Sequence, residues 1–76
     1  MNVEIGDFVK LKPRKDCNES HWLIVDDMLQ FFGGIHQVTA VECYGDLKLF
    51  NPHGWNFTFD RNWVESIVKL DGEVVV

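Results

Sequence analysis

From Trp55 to Asp60 the chain alternates without a break. Trp55, Phe57 and Phe59 take one parity; Asn56, Thr58 and Asp60 take the other. Side chains of a β-strand change face at every residue, so three rings fall on one side and three polar groups on the other. A chain of 76 residues forms a single domain, residues 1–76, and buries only about 60% of its unfolded surface. Such a chain must commit its large side chains to the core. The three rings are therefore read as an inner wall, and the chain as mainly β.

The other segments fit this frame. In Ile5-Gly6-Asp7-Phe8-Val9-Lys10-Leu11-Lys12, Val9 and Leu11 oppose Lys10 and Lys12, which predicts a half-buried strand that Pro13, lacking a donor, brings to an end. Residues 13–21 are polar and irregular and read as a long surface loop. Val25, Met28, Leu29 and Phe32 recur at the spacing of one helical face. Asp26 and Asp27 suit a first turn, and Gly33-Gly34 a left-handed stop, so a short helix is predicted over about 24–32. Ile35 to Cys43 reads as a strand whose broken parity calls for a bulge. Tyr44-Gly45-Asp46 reads as a turn, Leu47-Lys48-Leu49 as a strand and Asn51-Pro52-His53-Gly54 as a second turn. Asp60-Arg61-Asn62 reads as one tight helical twist that returns Trp63 and Val64 to the core. Asp71-Gly72 is the signature of a two-residue hairpin between Ile67–Leu70 and Glu73–Val76. Five or six short strands with closely spaced turns predict a small antiparallel barrel.

Assembled, residues 5–66 resemble the small SH3-like β-barrel proteins encoded by phages and prophages. The resemblance rests on Ile5-Gly6-Asp7-Phe8-Val9-Lys10-Leu11, on the helical stretch from Val25 to Gly34, on Leu47-Lys48-Leu49, on Trp55-Asn56-Phe57 and on Trp63-Val64. The terminal Asp-Gly hairpin and the double glycine depart from that pattern. The resemblance implies a non-catalytic binding module. Some small acidic phage proteins block host defence machinery, which adds an acidic, nucleic-acid-mimicking inhibitor of a defence nuclease as an alternative. In SH3-like barrels the binding groove lies between the first long loop and the later ones, here residues 13–22 and 44–54.

Net charge is −5, unevenly spread. Residues 1–15 carry four basic against two acidic side chains; the remainder carry three basic and ten acidic. An acidic body repels nucleic acid and favours a protein partner. Lys10, Lys12, Arg14 and Lys15, with Trp22 or Tyr44 as stacking rings, are the residues a nucleic-acid-binding alternative would use. For protein binding the candidates are the rings nearest the two loops, Trp22, Tyr44, His53 and Trp55, together with Asp26 and Asp27. Those two carboxylates, with Glu42, Asp46, Asp60 and Glu65, would form an acidic face.

Cys17 and His21 offer one short metal-ligand spacing that His36, Cys43 or His53 would have to complete; zinc sites pair two such spacings, so no metal is expected. No cofactor motif is present, and neither cysteine lies in a catalytic signature, so no enzymatic activity is expected. No apolar run is long enough for a membrane span, and the first residues lack a leader's basic region. A cytoplasmic location follows as an expectation, with Cys17 and Cys43 as free thiols, although two cysteines also allow one bridge.

Overall fold

A computed structural model describes residues 3–19, 23–69, 72, 74 and 75. The chain is mainly β with little helix. Its strands are β1 (Phe8–Leu11), β2 (Ile35–Val41), β3 (Leu47–Leu49), β4 (Val64–Val68) and β5 (Val74–Val75), hydrogen-bonded in the order β3-β2-β1-β4-β5. Every pairing is antiparallel. Helical backbone is confined to three 3₁₀ segments, Arg14–Asp16, Asp26–Phe31 and Arg61–Trp63.

The alternation of β1 sets the inner face. Val9 and Leu11 are fully buried, while Phe8 and Lys10 face outward. β1 ends at Leu11, two residues before Pro13. The bulge expected in β2 lies between Val38 and Ala40. A second register shift, between Lys10 and Leu11, lets β4 present both Val64 and Ile67 to the core. At the free side of β3, Leu47 and Phe59 exchange N–H···O bonds of 2.9 and 2.7 Å, an isolated bridge. Among the described residues no ladder joins β3 to β5.

Four expectations change. The segment after residue 24 is a six-residue 3₁₀ helix, closed by bonds from Met28 N to Val25 O (2.9 Å) and from Phe32 N to Leu29 O (3.3 Å). Side chains three apart eclipse in this geometry, so Met28 and Phe31 are the buried pair, while Val25 and Leu29 of the expected face are exposed. The segment has little room to elongate. Its far end is tied to β1 by Leu11 N to Gly34 O (3.0 Å) and Gly33 N to Lys12 O (3.2 Å). Gly33, at φ +80°, supplies the expected left-handed stop.

The Trp55–Asp60 segment keeps its parity but is a strand only at the Phe59 bridge. Phe59 is buried and Trp55 and Phe57 are half-buried against the same core. The ladder is missing because Asn51 supplies a substitute. Its side chain accepts from Trp55 N and donates to Trp55 O, both at 2.8 Å, so one amide satisfies both backbone groups.

The loop over 13–19 is not wholly a surface feature. Cys17 is 2% exposed and belongs to the core, and Trp63 Nε1 donates to Asn18 O at 2.9 Å.

The final hairpin is antiparallel but pairs Val68 with Val74 and Ile67 with Val75. A two-residue Asp71-Gly72 connection would have put Val68 opposite Val75. The observed connection spans residues 69–73, with Gly72 N bonded to Lys69 O at 2.8 Å. Lys69 is held back to β1 by Asp7, its Nζ lying 2.8 Å from Oδ2. Leu70, Asp71 and Glu73 lie outside the described residues.

Buried between the sheet and the 3₁₀ segments, Phe59 and Trp63 meet edge-on with centroids 6.2 Å apart; Phe31 and Phe32 contact them at 5.1 and 5.6 Å respectively. Edge-to-face rings at these separations pack more favourably than area alone predicts.

Candidate functional site

The expected site residues are scattered. Tyr44 is 79% exposed in the turn between β2 and β3. His53 is exposed in the next turn and stacks on half-buried Trp55, with centroids 4.2 Å apart and planes 21° from parallel. Asp26 and Asp27 are exposed in the first turn of the 3₁₀ segment. Trp22 lies outside the described residues.

The six-carboxylate face does not assemble. Asp46 and Asp60 are buried, and their Oδ1 atoms accept from the backbone of Arg61 (3.3 Å) and Asn62 (2.8 Å). Glu42 pairs with Lys48 at 3.5 Å and Glu65 with Lys10 at 3.2 Å. The basic candidates are likewise partly engaged. Lys10 holds Glu65, Lys12 is half-buried, and Arg14 donates to Cys17 O at 2.7 Å; Lys15 is exposed.

The thiols have different surroundings. Cys17 is buried and Cys43 exposed, both free. Burial pushes the Cys17 thiol above its ordinary value, against the smaller opposing pull of Lys12 and Arg14. That direction suits a core thiol rather than a nucleophile. A thiol reagent under native conditions is therefore expected to label Cys43 promptly and Cys17 only after unfolding; equal rates would contradict the burial. His21, the expected metal partner of Cys17, lies outside the described residues. Among the described residues no three His, Cys, Asp or Glu gather around a common point, and no helix is long and apolar enough to cross a membrane.

Another surface is continuous. On the outer face of the sheet the register places Gln37, Phe8, Val68 and Val74 in one row across four strands, and Ile35, Lys10 and Ser66 in the next. Directly opposed side chains lie about 5 Å apart, so Phe8 and Val68 are neighbours, as are Val68 and Val74. Ile35 is 60% exposed, Val74 61% and Phe8 38%. The Lys10–Glu65 pair borders this stripe, and Gln37 Nε2 donates to Gly6 O at 3.2 Å beside it. The outer face of an antiparallel sheet is normally polar, so an aromatic and three aliphatic side chains on it are a departure that needs a reason. The sequence carried part of this signal, because Phe8 shares its parity with Lys10. The contribution of Val74 depended on the hairpin register.

Comparison of the chain with protein-family models, with curated proteins and with solved structures returns no match.

Proposed function

We propose that this protein is a non-catalytic module that binds another protein through the outer face of its sheet. The observation that carries the reading is the apolar row of exposed Phe8, half-buried Val68 and exposed Val74, with exposed Ile35 beside it, on adjacent strands and bordered by charge. Interfaces take their energy from a few central aromatic and aliphatic anchors surrounded by a polar rim. Phe8 is the central anchor here.

The scaffold of this proposal is an SH3-like barrel. Phe59 adds to the edge of β3, β3 pairs β2, β2 pairs β1 and β1 pairs β4. A single 3₁₀ turn, Arg61–Trp63, links the Phe59 segment to β4. That connectivity, with the aromatic segment entering the tight turn, supports the barrel reading. The net charge of −5 favours a partner with a basic surface around its apolar contact.

Phe8→Lys and Phe8→Ala test the assignment. Affinity capture from host lysate with the wild-type chain should retain a specific protein. Phe8→Ala should weaken that capture by tenfold or more, the effect of about 1.4 kcal/mol at an anchor, with the melting temperature nearly unchanged. Undiminished capture by a folded Phe8→Lys variant would discard this face as the contact.

A further inference from the structure

At the turn between β2 and β3, Val3, Val41, Gly45, Arg61 and Asn62 line a cleft of about 340 Å³. We infer that this cleft is a binding site for a carboxylate carried on an aliphatic stem, with the Arg61 guanidinium as its receptor. The site shares no residue with the Phe8 row and stands or falls independently of it.

Arg61 is held in place before any ligand arrives. Its backbone N–H donates to Asp46 Oδ1 at 3.3 Å, and its guanidinium Nη1 donates to Tyr44 O. These anchors lie 15 and 17 residues away in sequence; the first ties the backbone and the second the guanidinium to the distant β2–β3 turn. Pre-ordering of this kind removes much of the entropy cost of capturing a ligand. Gly45 leaves room for the guanidinium. It sits at φ +84°, and a Cβ there would lie 3.3 Å from Arg61 Nη1 and 3.4 Å from its Cδ.

The charge of Arg61 is also available. Lys10, Lys48 and Lys69 each have a carboxylate within ion-pair distance. Among the described residues Arg61 has none. The nearby Asp46 and Asp60 carboxylates accept from backbone N–H groups. A guanidinium has five N–H donors in a planar fork, and one nitrogen is turned to Tyr44 O. The remaining fork matches a carboxylate in two-point geometry better than a point-charge lysine would. Asn62, exposed beside it, supplies an amide, and Val3 and Val41 supply an apolar wall. A peptide's terminal carboxylate after a branched residue and a glutamate side chain share this chemistry.

The test is a ¹⁵N NMR titration of the whole chain. N-acetylvaline presents a terminal carboxylate, N-acetylglutamic acid α-amide presents a side-chain one, and N-acetylvalinamide has none. Saturable shifts of the Gly45, Arg61 and Asn62 amides are expected with a carboxylate probe and not with the valinamide. The stronger of the two carboxylate probes identifies the source. Arg61→Gln should weaken the response by about tenfold or more, the usual loss for a charge-assisted hydrogen-bond pair. Arg61→Lys keeps the charge without the fork and should also weaken it, which covers the case in which glutamine loosens the turn. No saturable shift with either carboxylate, an equal shift with the valinamide, an undiminished response in folded Arg61→Lys, or a response to inorganic phosphate alone would each overturn the assignment.

Discussion

Trp63→Ala should remove a large share of this protein's stability. The side chain is 2% exposed, contacts Phe32 and Phe59 edge-on and donates its indole N–H to Asn18 O. Truncating a buried tryptophan costs about 3–5 kcal/mol in transfer and cavity terms. A domain of this length has about 4–11 kcal/mol in total, so the loss consumes a large share of it. With a urea dependence of about 1 kcal/mol per molar, the unfolding midpoint followed by circular dichroism should fall by about 3–5 M. Trp63→Phe retains most of the ring contacts and loses the bond to Asn18 O, so a smaller cost of about 1 kcal/mol is expected for that bond. A midpoint unchanged by Trp63→Ala would mean that the ring cluster is not the centre of the fold.

The same residue illustrates what the sequence made legible. Asp60-Arg61-Asn62 was readable as a tight twist returning Trp63 inward, and Arg61–Trp63 is a 3₁₀ turn that Asp60 caps through the amide of Asn62. Pattern and turn chemistry are local, and they also placed β1, the bulge in β2 and β3. The bond from Trp63 to Asn18 joins positions 45 apart in sequence, and no local pattern reports it. For that reason Cys17 read as a loop thiol and is a core residue. Trp55 and Phe57 failed as a ladder for a different reason. Alternation fixes which face a side chain takes, not whether a neighbouring backbone is there to pair with it, and Asn51 supplied both hydrogen bonds instead. The 3₁₀ segment read as a longer helix because the i,i+3 spacing of Met28 and Phe31 lies inside the same stretch as the i,i+4 pattern. The candidate site was the least legible part. Tyr44 and His53 are exposed, but the continuous surface depends on cross-strand register, and the Gly-Asp opening that contributes to that register had no visible partner in the sequence.

That partner is Lys69. Asp7 is 3% exposed, and its Oδ2 accepts from Lys69 Nζ at 2.8 Å and from Glu4 N at 2.9 Å. The pair ties the turn before β1 to the end of β4, and with it the outward positions of Phe8 and Val68. Asp7→Ala removes the carboxylate that lies 2.8 Å from the half-buried Lys69 ammonium and leaves the Glu4 amide without this acceptor; among the described residues Glu4 also reaches Nζ, at 3.6 Å, from a largely exposed position. Removing one side of an ion pair whose carboxylate is buried and whose ammonium is half-buried is destabilising, and the melting temperature should fall by about 5 °C or more. Asp7→Ala/Lys69→Met should cost less than the sum of the two single changes, because the two groups contact each other directly. The pair also has a pH signature. The hydrogen bond to Asp7 chiefly raises the Lys69 ammonium above its ordinary 10.5; burial opposes this, and the charges of Asp7 and Glu4 reinforce it. A group whose value is raised by folding stabilises fully below its unfolded value and loses that contribution as pH rises through the folded one. Wild-type stability should therefore decline above pH 10.5 more steeply than that of Lys69→Met. Parallel curves for the two proteins, or an Asp7→Ala variant as stable as wild type, would show that the Gly-Asp turn is held by its backbone alone.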